Sequence, residues 1–131
     1  MKKTILIILL LLLTIVSNAK DYNITHFGAH GDGIMLCTST IQHAIDFVSK
    51  EGGGRIVFPQ GTYLCGSIYM KNGVELHLKK GAVLLGSTNV FDYVRDSVTR
   101  WHSFIHAVGV EHIAITGKGT IDGQGFKVAN S

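Results

Sequence analysis

The chain carries little excess charge and very little cysteine. Twelve basic side chains stand against nine acidic ones, and two of the basic residues, Lys2 and Lys3, lie at the extreme N-terminus. A nearly neutral chain provides no basis for predicting nucleic acid or an anionic membrane as a partner. Two cysteines, Cys37 and Cys65, allow a single bridge at most. An exported chain could form this disulfide, but two buried thiols are the simpler interpretation.

The N-terminal segment lacks the length of a membrane-spanning helix. Lys2 and Lys3 precede an apolar run from Ile5 to Val16, and small or polar residues follow up to Ala19. A spanning helix needs about 20 apolar residues, whereas a charged start, a short apolar run and a small-residue exit are typical of a secretory signal peptide. We therefore predict a signal peptide over residues 1–19 and an exported protein, periplasmic or secreted, without stable membrane insertion after cleavage. An uncleaved N-terminal anchor is the alternative.

The rest of the chain contains an internal repeat of twenty residues. Residues 56–67 align on residues 76–87 without a gap, and a looser third copy runs over 113–123. The shared positions are apolar at 56/76, 58/78 and 64/84 and glycine at 61/81 and 66/86. The lead-in 73–75 also recurs as 109–111. Each copy indicates a short strand, a glycine turn and a second short strand.

A unit of twenty residues is too small to bury its own apolar face, so stacked copies are expected. Stacking predicts a β-solenoid in which Ile56, Leu76 and Ile113 form one inward-pointing column. Leucine-rich repeats have similar lengths, but the Leu/Asn spacing they require is missing. An ordinary β-sandwich is the other alternative. The segment 88–107 interrupts the period and predicts a loop, whose aromatic residues either fix the loop to the body or contact sugar.

The sequence ahead of the repeats has a different pattern. A first strand is predicted around residues 22–24, followed by a turn over 28–33. One amphipathic helix follows, with apolar residues at helical spacing at positions 41, 44, 45 and 48. Ser39 and Gln42 have the spacing of a capping box, and three glycines at 52–54 predict the end of the helix. A single helix ahead of a solenoid is most simply a cap over the first coil.

Together these segments resemble the N-terminus of polygalacturonase-like proteins, glycoside hydrolases of the family 28 type within the pectin lyase-like β-helix superfamily. The matching pieces span most of residues 21–125 and are Phe27-Gly28-Ala29, Gly31-Asp32-Gly33, Ala44-Ile45-Asp46, Gly52 to Pro59, Gly61 to Leu64, Gly66, Leu76-His77-Leu78, Gly81-Ala82, Leu85-Gly86-Ser87 and Ile113 to Gly125. The resemblance implies an all-β fold, a right-handed parallel β-helix with an N-terminal capping α-helix. It also implies a groove for acidic plant-type polysaccharide such as pectin or polygalacturonate, and no nucleic acid partner.

The resemblance further implies hydrolysis with inversion, which uses one carboxylic acid and one carboxylate and neither a metal nor an organic cofactor. The family carries this chemistry on Asn-Thr-Asp, Asp-Asp, Gly-His-Gly and Arg-Ile-Lys motifs, and none of the four occurs in this sequence. We therefore expect no catalytic, cofactor-binding or metal-binding residue here. Because the sequence also departs from the family pattern after Gly125, we expect residues 20–131 to be a truncated N-terminal part of the domain, inactive alone and self-associating through an uncapped last coil.

Several residues nevertheless invite a catalytic or metal-binding interpretation. Asp122 lies in a glycine-flanked turn, where Asp commonly bonds to backbone N–H groups, so a structural role is predicted. Asp92 and Asp96 are four residues apart, and loop solvation explains them equally well. His102 and His106 share that spacing, but no Glu-bearing zinc motif surrounds them.

Three functions are compatible with these observations. The first is a polygalacturonan-directed glycoside hydrolase whose catalytic residues lie outside this chain. The second is a non-catalytic β-helix that binds carbohydrate, as in an adhesin or tailspike-like module. The third is a pectate lyase-type enzyme, which would need a general base and usually calcium.

Overall fold

The computed structural model describes residues 20–93 and 104–124. The predicted signal peptide lies outside these residues, as do residues 94–103 of the interrupting segment and the residues from Gly125 onward. Arg95, Asp96, Arg100, Trp101 and His102 are therefore also outside the described part of the chain.

Short strands make up most of the described residues, with one α-helix near the N-terminal side. The strands are β1 (Asp21–Asn23), β2 (Asp32–Leu36), β3 (Gly54–Phe58), β4 (Gly61–Cys65), β5 (Ile68–Tyr69), β6 (Val74–Leu78), β7 (Ala82–Gly86), β8 (Ile105–His106), β9 (Ala114–Gly117) and β10 (Thr120–Asp122). The helix α1 (Thr38–Lys50) lies between β2 and β3. Two short 3-10 helices cover Ile24–Phe27 and Val90–Asp92.

The strands form three sheets in which every pairing is parallel. Sheet A has the order β1-β3-β6-β9, sheet B has the order β10-β7-β4-β2, and sheet C pairs β5 with β8. The chain passes from sheet A to sheet B to sheet C and returns to sheet A one rung further on. This path is a parallel β-helix, as the repeat predicts. In the first coil, α1 takes the position in the chain that a strand of sheet C has in the later coils.

Successive side chains along each strand point alternately into the coil and out of it, and the inward ones form the core. In β6 the side chains of Val74, Leu76 and Leu78 are buried, whereas the two residues between them are only half-buried. Ile56 of β3 pairs with Leu76, so the first part of the predicted inward column is confirmed. Burial of one such side chain stabilises the fold by about 1.5–3 kcal/mol, and each coil provides several.

The gapless alignment of the first two copies is wrong for the second strand of each copy. Strand β3 pairs with β6 at a shift of twenty residues, but β4 pairs with β7 at a shift of twenty-one, so Leu84 lies beside Tyr63 and not beside Leu64. The extra residue lies in the corner before β7, which runs over residues 79–81, whereas the corner before β4 has only residues 59 and 60. A shift of one residue exchanges the two faces of a strand, and only the observed register places Tyr63 and Leu84 together in the core.

The third member of the predicted column is also wrong. Leu76 pairs with Ile115 rather than with Ile113, because β9 starts only at Ala114. The loop before β9 is longer than the matching lead-in of β6, and it contains His112 in a left-handed conformation with φ of 58°. Ile113 lies in this loop, where it packs against the edge of the core.

The amphipathic helix and its glycine stop are confirmed. Helix α1 buries Ile41, Ala44, Ile45 and Val48, and it packs against β3, β5 and the 3-10 helix at Ile24–Phe27. After the helix, Gly52 and Gly53 both have φ near +100°, a conformation that glycine adopts without strain. The helix therefore covers the first coil, as a cap does.

The predicted capping box does not form. Ser39 lies inside the helix, and Cys37 occupies the N-cap position without a side-chain cap bond. Gln42 instead bonds to the main chain of Tyr69 in β5: its Oε1 accepts from the Tyr69 N–H at 2.8 Å and its Nε2 donates to the Tyr69 carbonyl at 2.9 Å. Because these are the groups a neighbouring strand would use, the Gln42 amide closes the edge of sheet C that faces α1.

The structure also contains a strand that the sequence pattern does not indicate. Residues 32–36 form β2 within and beyond the stretch predicted as a turn, and β2 pairs with β4 through an irregular register. Its apolar Ile34 points to solvent and is 82% exposed, so the strand lacks a buried apolar face.

Candidate functional site

The outer face of sheet A carries a cluster of charged and polar side chains. Its two outward rows follow from the register: Asp21, Arg55, Glu75 and Ala114 form one row, and Asn23, Val57, His77 and Thr116 form the next. Successive rungs are about 4.8 Å apart, so long side chains within a row can touch.

Glu75 is the centre of the bonds on this face. Its Oε2 lies 3.1 Å from Nε of Arg55 and accepts a hydrogen bond of 2.6 Å from Oγ1 of Thr116. Arg55 also lies 3.8 Å from Asp21, and Nδ1 of His77 lies 2.8 Å from Oγ1 of Thr116. The pairs therefore fix the orientation of these side chains across four rungs.

A shallow depression of about 590 Å³ lies where this face meets α1. Its polar side includes Asp21, Arg55 and His77, and its apolar side includes Tyr22, Phe27 and Phe47. The Phe47 ring packs edge-on against Tyr22 and Phe27 at centroid distances of 6.0 and 5.9 Å. Aromatic rings beside ionic and hydrogen-bonding groups can hold a sugar by its apolar face and its hydroxyl groups.

The outer face of sheet C carries a second pair of rings. The Tyr69 ring stacks on the His106 ring with a centroid distance of 4.3 Å and an interplanar angle of 15°. His102, the other histidine of the predicted spacing, lies outside the described residues. Within the described parts of the chain, no three His, Cys, Asp or Glu side chains come together as a metal site would require.

Two of the acidic residues singled out above have structural partners. Asp122 accepts a hydrogen bond of 3.0 Å from the backbone N–H of Gln124, which confirms its predicted turn role. Asp92 is not simply solvated, because its carboxylate accepts a hydrogen bond from the hydroxyl of Ser87.

Asp32 is an acidic residue whose role the sequence analysis missed. Its Oδ1 accepts hydrogen bonds from the backbone N–H groups of Ile34 and Met35 at 2.9 and 3.0 Å. These bonds favour the charged form and lower the pKa of the Asp32 carboxyl below its ordinary value. The signal for this turn is Asp between two glycines, at Gly31 and Gly33.

Cys37 and Cys65 are both free and buried, so the interpretation as thiols is confirmed. The Cys37 thiol donates to the carbonyl groups of Met35 and His30, at 3.4 and 3.5 Å. Burial raises the pKa of both thiols because the interior disfavours the thiolate. They are thus not poised as nucleophiles.

No helix within residues 20–93 and 104–124 has the length and apolar character needed to cross a membrane.

Comparison with known proteins places the fold and the family. Residues 22–93 match the family model described as rhamnogalacturonase A/epimerase, pectate lyase-like. The chain is 40% identical over 123 residues to exo-poly-alpha-D-galacturonosidase of Dickeya chrysanthemi, with 82% of this chain and 20% of the relative covered. It superposes on the exopolygalacturonase of Thermotoga maritima with a TM-score of 0.72 and 33% identity, covering 79% of this chain and 25% of that one.

A relative of a different kind matches a shorter stretch. Plasmin and fibronectin-binding protein A of Streptococcus pneumoniae is 40% identical over 75 residues, with 56% of this chain and 10% of the relative covered. The chain spans only about a tenth to a quarter of the length of these relatives. The neighbours confirm the right-handed parallel β-helix class.

Proposed function

The chain belongs to the rhamnogalacturonase A/epimerase, pectate lyase-like family, and from this membership we propose that it forms the capped N-terminal coils of an exported glycoside hydrolase. The proposed reaction is hydrolysis, with inversion, of O-glycosyl bonds in an acidic pectic polysaccharide of the polygalacturonate type. Residues 1–19 act as the signal peptide in this proposal, and residues 20–131 form the first part of the β-helix domain.

The observation that carries this proposal is the 40% identity to a galacturonosidase over four fifths of the chain. It is supported by the superposition on an exopolygalacturonase at 33% identity, because similarity at this level extends beyond a shared fold. Rings and charged groups on the outer face of sheet A are also suited to a charged sugar polymer.

The described carboxylates support a scaffolding role rather than a catalytic one. An inverting hydrolase needs a carboxylic acid and a second carboxylate roughly 6.5–9.5 Å apart with room for a water between them. Here Asp122 and Asp32 each accept backbone bonds in turns, and Glu75 is occupied by Arg55 and Thr116. We therefore propose that these coils alone do not cleave substrate.

Self-association is part of the same proposal. Within the described residues, β9 and β10 are the edge strands of sheets A and B at the end opposite β1 and β2, and all four residues of β9 are exposed. Parallel edges of this kind offer unpaired N–H and C=O groups to a second strand.

A carbohydrate- or protein-binding module without catalysis is the second candidate. It is favoured by the 40% identity to the streptococcal plasmin and fibronectin-binding protein A. The two candidates differ in whether a carboxylate pair exists in later coils.

The first test reads the encoding DNA in all frames beyond the codon of Ser131. Asn-Thr-Asp followed by Asp-Asp supports the hydrolase, a calcium-binding carboxylate cluster supports a lyase, and neither supports the binding module.

The second test measures release of reducing ends from polygalacturonate. The chain itself should release none above a blank, whereas a chimera in which residues 20–124 replace the first coils of the Dickeya enzyme should retain cleavage. Cleavage by the chain alone that disappears in Glu75→Gln or Asp122→Asn would contradict the scaffolding role. A folded chimera without activity would contradict the hydrolase assignment.

A further inference from the structure

Two stacked corners on one side of the coil carry lysines. The corner after β6 begins with Lys79 and Lys80, and the corner after β9 begins with Lys118. Leu78 and Gly117 are paired, so Lys79 and Lys118 each follow a paired position and lie on adjacent rungs, about 4.8 Å apart along the stack. These three residues are called the lysine corner below.

The lysine corner borders a depression that no carboxylate lines. Its volume is about 560 Å³, and its lining consists of His77, Lys79, Lys80, Gly117 and Lys118. Elsewhere on the same face, Arg55 is paired with Glu75 and Asp21. Among the described residues, the three lysines form no ion pair, so their positive charge is available to a ligand.

The backbone of the lysine corner is held firmly. The Lys79 N–H donates to the Phe58 carbonyl at 3.1 Å, and the Lys79 carbonyl accepts from the Ala82 N–H at 2.9 Å. The Gly119 N–H donates to the Leu78 carbonyl at 3.0 Å. His77 lines the depression, and its Nδ1 bonds to Oγ1 of Thr116 and lies 3.8 Å from Oε2 of Glu75. The lysines therefore project from fixed points, which reduces the entropy lost when they bind.

We propose that the lysine corner, with His77, is a binding site for the carboxylates of a polyuronate chain. The ligand class rests on the proposed function, but binding here involves no cleavage. Three cations on two adjacent rungs suit a polymer that carries one negative charge per sugar, because several carboxylates of one chain can each meet a lysine. Exposed cations also make the interaction sensitive to salt.

The test measures the dissociation constant of the full chain for polygalacturonate, from its retardation in native gels with a chelator present. The triple variant Lys79→Gln/Lys80→Gln/Lys118→Gln should bind roughly tenfold more weakly than the unaltered chain. A matched variant, Lys20→Gln/Lys50→Gln/Lys71→Gln, loses the same charge at exposed positions outside the depression and should bind within about twofold of the unaltered chain. Thermal melting checks that both variants are folded.

Fully methyl-esterified pectin provides the second arm, since it retains the sugars and lacks the charge. Binding to the ester should be much weaker than binding to polygalacturonate. Equal binding to both polymers, an unaffected lysine-corner variant, or an equal loss in the matched variant would each overturn the proposal. In the active chimera, the three substitutions should weaken retention on polygalacturonate and leave kcat on a short oligogalacturonide unchanged. The site and the hydrolase assignment can therefore fail separately.

Discussion

The two ends of the described stack differ greatly in how well their inward side chains are buried. At the end covered by α1, Ile41 and Ile45 are fully buried, and Gln42 closes the edge of sheet C. At the other end, Ile115 occupies the same column as Leu76 but is 41% exposed, whereas Leu76 is 0% exposed. An inward position in a solenoid therefore contributes fully to stability only when a coil or a capping helix covers it on each side.

Removing equivalent side chains from the interior and from the outer coil should give the largest difference in stability. Leu76→Ala should lower the free energy of unfolding by about 2–5 kcal/mol, because it leaves a cavity between two coils. Ile115→Ala should cost about 1 kcal/mol or less, because its side chain is already partly in water. Urea denaturation at a protein concentration that keeps the chain monomeric measures both, and similar losses would show that the outer coil is buried in solution.

Substitutions at two adjacent glycines near the covered end distinguish the cost of backbone strain from the cost of a clash between neighbouring corners. Gly52 and Gly53 have φ of 101° and 97°, but an added Cβ would meet nothing within 4 Å at Gly52 and would lie 2.8 Å from the Gly73 carbonyl oxygen at Gly53. Gly52→Ala should cost about 1–2 kcal/mol, from the left-handed conformation alone. Gly53→Ala should cost about 1 kcal/mol more, because the corners before β3 and β6 must move apart. Equal losses in thermal unfolding would refute the close approach.

The next largest loss of stability is expected when the hydrogen bonds between Gln42 of α1 and Tyr69 of sheet C are removed. Gln42→Ala leaves the Tyr69 N–H and carbonyl without their partner and should cost about 1–3 kcal/mol. Ser39→Ala is the matched control within the same helix and should change stability by less than about 0.5 kcal/mol, since Ser39 makes no cap bond. A larger loss of stability in the Ser39 variant than in the Gln42 variant would show that Ser39 does cap the helix.

The smallest effect is a loss of stability at alkaline pH. The buried Cys65 thiol has a raised pKa, so the folded chain holds this proton more tightly than the unfolded chain does. The resulting stability is complete below the ordinary thiol pKa of 9.0 and decreases as the pH rises above it, by at most about 1.4 kcal/mol per pH unit. Cys65→Ala should show a shallower decrease between pH 8.5 and 10 in denaturant titrations. Identical slopes would argue against burial of the thiol.

The fold class, the helix and the pairing of Ile56 with Leu76 could be predicted because each depends on local periodicity. The register of β7 and β9 could not, because it depends on corner lengths that only the packed core decides. Leu84 lies beside Tyr63, and Ile115 replaces Ile113, since those registers place apolar side chains inside.

The candidate site was less accessible from the sequence. Arg55 and Glu75 are twenty residues apart, which is the spacing of the first strands, so their contact could have been inferred from opposite charge on the outward positions. The bond from Gln42 to Tyr69 could not be inferred in this way, because it joins a helix to a strand 27 residues later. The lysine corner combines residues 39 positions apart, and their proximity depends on the register that the longer loop before β9 gives to that strand.

The extra residue in the corner before β7 has a consequence for the history of such chains. Because sheets A and B both keep their ladders while the corner between them changes length, the corner absorbs an insertion or deletion without moving any strand. Strands are therefore constrained in their composition, because they must keep apolar residues inside, whereas corners are free to change in length. A stack built in this way can acquire new surface residues at its corners, charged ones included, at little risk to the interior.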